Sequence, residues 1–256
     1  MGEAMLAAVL GKSLAKPVSI SVGDVSQARL EYLKQKYGVM VTKSSREAVS
    51  GKDVVVLAVK PQNLAEVMTE LNGQLKSGQL VLSIIAGAKI NTLSSGLKHG
   101  RIVRAMPNTP AQIGQGMSVW TATPDVTEEQ KVLAKAILGA MGKELYVDDE
   151  KYLDMATAVS GSGPAYFFLM VESLVDAAVE IGLPRDMAEA LVLQTILGSG
   201  HFIQASGEEP AELRRKVTSP GGTTAQALLQ LEKAGFTDMI KRAVKAAYDK
   251  AKELGS

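Results

Sequence analysis

A chain of 256 residues that is 46% hydrophobic and 21% charged has the make-up of a globular protein, long enough for two ordinary domains. A formal net charge of +1, without a dense Lys/Arg block, argues against nucleic acid or an anionic membrane as partner. The absence of cysteine removes disulfides, thiolate nucleophiles and Cys-ligated zinc.

In chain order, residues 3–10 are rich in Ala, Leu and Met and predict a helix ending near Gly11. Val18 to Val22 alternates apolar residues with serine and predicts a short strand. Residues 26–37 place Leu30, Leu33 and Tyr37 at helical spacing before Gly38. A strand at 39–41 and a helical turn at 45–50 follow. Asp53-Val54-Val55-Val56-Leu57-Ala58-Val59 is a nearly continuous apolar run, as expected of a strand covered on both faces in a parallel sheet. Next come a helix at 62–72, a second buried strand at 80–86, a short helix at 90–97, and strands at 102–105 and 117–121. Thr127 with Glu128 and Glu129 opens a helix over 127–142, and 145–147 is the last strand. Beyond that point the patterns are helical only: 151–158, 163–182, 185–206, 209–217, 222–233 and 236–254. The expectation is a doubly wound α/β domain over 1–149 and an all-α domain over 150–256.

The two histidines, His99 in a polar turn and His201 in an apolar helical run, have no second ligand at metal spacing. Both are expected to be structural or solvent-exposed, and metal hydrolysis and Ser-His-Asp chemistry are set aside. No apolar run reaches the roughly 20 residues of a membrane span. The start lacks the basic segment of a signal peptide, and Leu6 stands where a myristoylation motif wants Ser or Thr. A cytoplasmic protein is expected.

In a doubly wound sheet, ligands bind beyond the C-terminal ends of the strands. Three predicted strands run into Lys60-Pro61, Ala86-Gly87 and Met106-Pro107-Asn108-Thr109-Pro110. Gly or Pro at each exit lets backbone approach a flat ligand; the alternative is loop punctuation, and three exits together favour a cofactor crevice. Ser160-Gly161-Ser162-Gly163-Pro164-Ala165-Tyr166 reads as a capped helix start with small residues for tight packing. In Ser219-Pro220-Gly221-Gly222-Thr223-Thr224, glycines at a helix N-terminus expose consecutive N–H groups beside two hydroxyls, a site for a small carboxylate or phosphate. A plain cap accounts for Ser219 or Thr223 but not for the glycine pair. Spacing alone therefore suggests oxidoreduction of a small carboxylate.

Val217-Thr218-Ser219-Pro220-Gly221-Gly222-Thr223-Thr224, followed by Leu231-Glu232 and Gly235-Phe236, resembles the signature of pyrroline-5-carboxylate reductases. Ala58-Val59-Lys60-Pro61, Arg104-Ala105-Met106-Pro107-Asn108-Thr109-Pro110 and the 160–166 segment match the same family in the same order, over essentially the whole chain. The resemblance implies hydride transfer from NADPH or NADH to the C=N carbon of 1-pyrroline-5-carboxylate, giving proline. It implies an N-terminal Rossmann domain and a helical domain that intertwines into a homodimer or a larger assembly of dimers. It implies that Gly222, Thr223 and Thr224 hold the substrate carboxylate together with Ser219, and that Thr224, the catalytic candidate, reaches the imine nitrogen. Glu150 and Thr157 match positions near the substrate. Ala58, Val59, Lys60, Pro61 and Ala86 line the nicotinamide side, Asn108 joins the cofactor residues, and Ser45 stands near the adenosine ribose where the family often has Asn.

The sequence departs from the family at its start. Family members open with a strand and a Gly-x-Gly-x-x-Gly turn; here the chain opens at Met1-Gly2-Glu3 and Gly2 matches the third glycine. The favoured reading is a start taken at an internal methionine, the other a true truncation with impaired cofactor binding. NADPH is the expected cofactor and NADH the alternative: Asp24 can bond ribose hydroxyls, whereas the nearest Arg for a 2′-phosphate is Arg29. Two further functions stand beside the first. One is a β-hydroxyacid-dehydrogenase-type reductase with Lys151 or Lys216 as its lysine, although neither has that family's Gly-x-x-x-Lys context. The other is a catalytically impaired dimeric scaffold.

Overall fold

Aliphatic and β-branched runs form the strands, and the amphipathic segments between them form covering helices. The computed structural model describes residues 1–255. Its elements are α1 (Gly2–Gly11), β1 (Ser21–Gly23), α2 (Gln27–Tyr37), β2 (Met40–Thr42), α3 (Ser45–Val49), β3 (Val54–Leu57), α4 (Leu64–Leu71), β4 (Leu80–Ser83), α5 (Ile90–Leu97), β5 (Ile102–Met106), β6 (Gly116–Ala122), α6 (Glu128–Gly139) and β7 (Gly142–Tyr146). There follow α7 (Lys151–Ala156), a π-helical turn (Thr157–Gly161), α8 (Gly163–Glu180), α9 (Arg185–Ser206), α10 (Pro210–Lys216), α11 (Thr223–Lys233) and α12 (Phe236–Leu254).

Local chemistry sets several boundaries. Ser26 accepts from the N–H of Arg29 to start α2, and Gly38, at φ 68°, ends it in the left-handed conformation that costs glycine least. Thr127 and Gln130 form a reciprocal capping box at the head of α6. The expected strand over 18–22 is corrected: Pro17, with fixed φ and no N–H, opens a 3-10 turn through Ser19, and the strand begins only at Ser21.

Residues Met1–Pro164 with the chain from Ala247 onward form one compact unit, and Ala165–Ala246 form another. In the first, β3, β4 and β5 are parallel, β6 runs against β5, and β7 is parallel to β6. β1 and β2 pair in a separate two-stranded parallel sheet. Side chains alternate along β4: Leu80 and Leu82, with Ile84 just beyond, join one apolar cluster with Met5, Val103 and Trp120. Val81, with Ile85 just beyond, joins the opposite cluster with Val55, Leu93 and Ile102. Both faces are thus covered, the expected Rossmann-like architecture.

The other unit is helical throughout. Its apolar side chains are not all buried: Phe202, Leu191 and Ile181 are exposed. The helical run Lys151–Glu180 contains an 18-residue window of mean hydropathy 1.2, enough by length and composition to cross a membrane, yet only 17% of the window is buried. Ser160-Gly161-Ser162-Gly163 interrupts the apolar run in sequence, but the π-turn carries the helix through it.

Candidate active site

Because β3, β4 and β5 run parallel, their C-terminal ends share one edge of the sheet. Ala58 and Lys60 are exposed beyond β3, Val59 packs partly on the core, and Pro61 opens a 3-10 turn. The first helix starts against this edge. A Cβ built on Gly2 would stand 3.1 Å from the Cβ of Ala58, so the residue there must be small for helix and strand end to meet. That close packing is the role of the third glycine in a dinucleotide fingerprint, and these residues therefore fit a nicotinamide dinucleotide.

Ala86 is half-buried in the turn after β4. Its neighbour Gly87 has φ 76°, and a Cβ there would lie 2.8 Å from the carbonyl oxygen of Leu254. This glycine accommodates the end of α12, which corrects its reading as a place for ligand approach. The Ser45 N–H donates to Glu70 Oε1 at 2.9 Å, and the Ser45 hydroxyl is the main cause of a lowered Glu70 carboxyl pKa. Asn108 Oδ1 accepts from the Met117 N–H at 2.8 Å, and its Nδ2 donates to Ser160 Oγ at 3.1 Å. The Asn108 amide thereby braces the β5 exit against the π-turn.

The cofactor-choice residues are also engaged. Asp24 Oδ1 accepts from the Ser26 N–H at 2.8 Å, which makes it part of the turn into α2. Arg29 donates to Glu3, which also accepts from Lys36 at 3.0 Å, Tyr37 at 2.8 Å and Tyr32 at 3.1 Å. Lys36, ahead of Tyr37 and Arg29, holds the Glu3 carboxyl at about 2.

Glu150 immediately precedes α7. Its Oε1 accepts from Arg104 Nη1 at 2.8 Å and from the Ile90 N–H, which opens α5, at 2.8 Å. Asp154, one turn further along, accepts from Arg104 Nη2 at 2.9 Å. Thr157 begins the π-turn and donates its hydroxyl to Leu153 O at 2.7 Å. Single π-turns are costly interruptions that occur often at functional sites.

Ser219, Gly222, Thr223 and Thr224 stand in the helical unit. The Gly222 N–H donates to Ser219 O at 3.1 Å, with Pro220 and Gly221 between them. Gly221 has φ 71°, so the four residues have the signature of a type II turn. Gly222 is the N-cap of α11 and no side chain caps the helix. The first-turn N–H groups, on Thr223, Thr224 and Ala225, consequently have no helical partner. The result is an open donor cluster at the positive end of an 11-residue helix, suited to a small anion.

Arg104 and Asp154 join this site without a motif that marks them as members. The signal was available: a cation in the middle of Ile102-Val103-Arg104-Ala105-Met106 must find a partner when the strand is buried. His99 takes the structural alternative of the two expected for it: it is buried, with Nε2 2.7 Å from Gln79 O. Lys151 pairs with Asp149 at 2.7 Å and Lys216 with Glu208 at 2.5 Å.

Residues 150–254 match the family model for pyrroline-5-carboxylate reductase dimerisation, and residues 1–87 match that for NADP oxidoreductase, coenzyme F420-dependent. The chain is 44% identical to the pyrroline-5-carboxylate reductase of Synechocystis sp., over 100% of its own length and 95% of that protein's. It superposes on the solved pyrroline-5-carboxylate reductase of Coxiella burnetii with a TM-score of 0.90 at 37% identity, covering 100% and 95% of the two chains. The Plasmodium falciparum pyrroline carboxylate reductase, solved with NADP bound, gives a TM-score of 0.91 at 33% identity, again covering 100% and 95%.

Proposed function

Since the chain belongs to the pyrroline-5-carboxylate reductase family, we infer that the turn at residues 219–224 is where its substrate's carboxylate docks. The chain is an oxidoreductase that reduces 1-pyrroline-5-carboxylate to proline, the last step of proline biosynthesis, with a nicotinamide cofactor. The bound cofactor supplies the hydride. What remains for the protein is alignment and charge placement, because a protonated cyclic imine is already electrophilic at carbon.

The observation that carries this reading is the uncapped first turn of α11 behind the Ser219–Gly222 hydrogen bond. Gly222, Thr223 and Thr224 present N–H groups and hydroxyls to the carboxylate, Ser219 adds its hydroxyl, and Thr224 reaches the imine nitrogen. Glu150 and Thr157 serve the substrate side. Ala58, Val59, Lys60, Pro61 and Ala86 line the nicotinamide, Gly2 lets α1 close on the strand end, Ser45 belongs to the ribose side, and Asn108 holds the loop that borders the cofactor. Loss of the Thr224 hydroxyl in Thr224→Ala lowers kcat/KM about 10–100-fold, the worth of one or two hydrogen bonds. Steady-state oxidation of reduced nicotinamide measures it, and an unchanged value removes Thr224 from the chemistry.

NADPH is the preferred cofactor in this reading, with NADH accepted. The NADP-bound relative supports this. Comparing KM for the two cofactors tests it; a strong NADH preference would reverse the assignment. The exposed apolar helices and the dimerisation match support a homodimer or an assembly of dimers, with that surface facing a second copy and neither membrane nor nucleic acid. A cytoplasmic location is part of the same reading, resting on the relatives.

A further inference from the structure

Arg104 has a side chain only 3% exposed, in the middle of an apolar strand. A guanidinium there is costly unless it is paired, and a methionine of similar volume would pack without that cost. The Arg104 fork is fully used. One arm meets Glu150 and the other Asp154, the two acids one helical turn apart. The acids are not equivalent: the Asp154 side chain is 11% exposed and that of Glu150 is 30% exposed. Glu150 Oε1 also takes the Ile90 N–H, and Ile90 lies four residues beyond Ala86 on the turn after β4. Among the described residues Glu150 Oε2 accepts no hydrogen bond. One oxygen is therefore clamped from two directions while the other is left available to a ligand donor.

We propose that Arg104 is a positioning residue for the reductase reaction, acting through Glu150. With Asp154 as the buried anchor, it fixes the Glu150 carboxylate between β5 and the turn that carries Ala86, and presents Oε2 to the N–H side of the bound imine. The inference rests on the reading of Glu150 as a substrate-side residue. Arginine is required because a planar fork can bridge two carboxylates, whereas a lysine ammonium is a point charge without that geometry.

The test uses the full chain with 1-pyrroline-5-carboxylate and NADPH varied separately, together with dinucleotide titration by nicotinamide fluorescence. Glu150→Gln keeps an oxygen for Arg104 and Ile90 but puts an amide NH2 in place of Oε2. It is expected to lower kcat/KM for the imine about 10–100-fold. Arg104→Lys is expected to lower the same quantity about 10-fold, through imine KM and kcat, with dinucleotide affinity within about twofold of the parent. The double variant should be no worse than Glu150→Gln alone, since both changes act through one carboxylate. A kcat/KM unchanged by Arg104→Lys, a loss that multiplies onto that of Glu150→Gln, or an equal loss in dinucleotide affinity overturns the proposal while the Glu150 reading stands. An unchanged kcat/KM in Glu150→Gln removes Glu150 from the substrate site, and the proposal with it. If Arg104→Lys does not fold, Asp154→Asn takes its place. A loss of about 3–10-fold that disappears in the Glu150→Gln background supports the clamp, and a loss that multiplies overturns it.

Discussion

Leu80, Val81 and Leu82 of the sheet unit are completely buried, while Phe167, Phe168 and Leu169 of the helical unit are 59, 59 and 63% exposed. Both triplets are equally apolar in sequence, so hydrophobicity alone does not distinguish them. The strand residues have helices on both faces of their own sheet. The helical triplet lies in the segment matched by the dimerisation model, and we propose that a second copy covers it. The first region satisfies itself and the second leaves apolar surface open to a partner, a difference visible only when the burial of each residue is known.

Four changes would break or sharpen that contrast. The largest effect is expected at the sheet core: Leu82→Ala should cost about 2–5 kcal/mol in denaturant unfolding through a cavity with no room to collapse. A cost below about 1 kcal/mol would mean the sheet is less tightly packed than its burial indicates. Next is Phe168→Asp, which puts a charge on the exposed helical face. Sedimentation should show smaller species, with the near-ultraviolet signature of Trp120 in the sheet unit retained, and an unchanged assembly would take Phe168 out of the interface. A smaller effect attaches to Glu3. Its folded-state carboxyl, at about 2, is below the ordinary value near 4.3. The stabilisation it gives is therefore complete above the ordinary value and is lost as pH falls toward 2. Glu3→Gln should flatten the decline of Tm across that window, and an unchanged slope would mean the cluster around Glu3 contributes nothing to folding. The smallest effect is at Ser118, whose buried hydroxyl oxygen has no hydrogen-bond partner among the described residues. Ser118→Ala should leave stability unchanged or raise it by up to about 1 kcal/mol, and a clear loss would reveal a partner for that hydroxyl.

Much of the first unit was legible because its signals are local. The apolar run from Leu80 reads as a buried strand from its composition, although the strand itself ends at Ser83, and Thr127 with Glu128 and Glu129 announces the helix that begins at Glu128. The glycine pair at 221 and 222 likewise declares a turn and an open helix end within six residues. What escaped depends on distant partners. Which of its two expected states His99 takes is decided by the Gln79 carbonyl, 20 residues earlier, which meets its ring. Arg104 finds its acids 46 and 50 residues downstream. Gly87 reads as a ligand-facing glycine until the far end of the chain, at Leu254, occupies the space. Pro17 shortened a predicted strand for a local reason that alternation alone does not reveal.

The separation of β1–β2 from β3–β7 bears on cooperativity. Two neighbouring residues of α1 point into different clusters: Met5 joins the core of the larger sheet, and Leu6 packs with Leu33 and Val39 beside the smaller one. The smaller sheet has strands of three residues and no ladder to the larger sheet. Helix α1 therefore ties the two sheets together through adjacent side chains. Leu6→Ala should raise amide exchange in β1 and β2 more than in β4 and β5, whose core Leu6 does not enter.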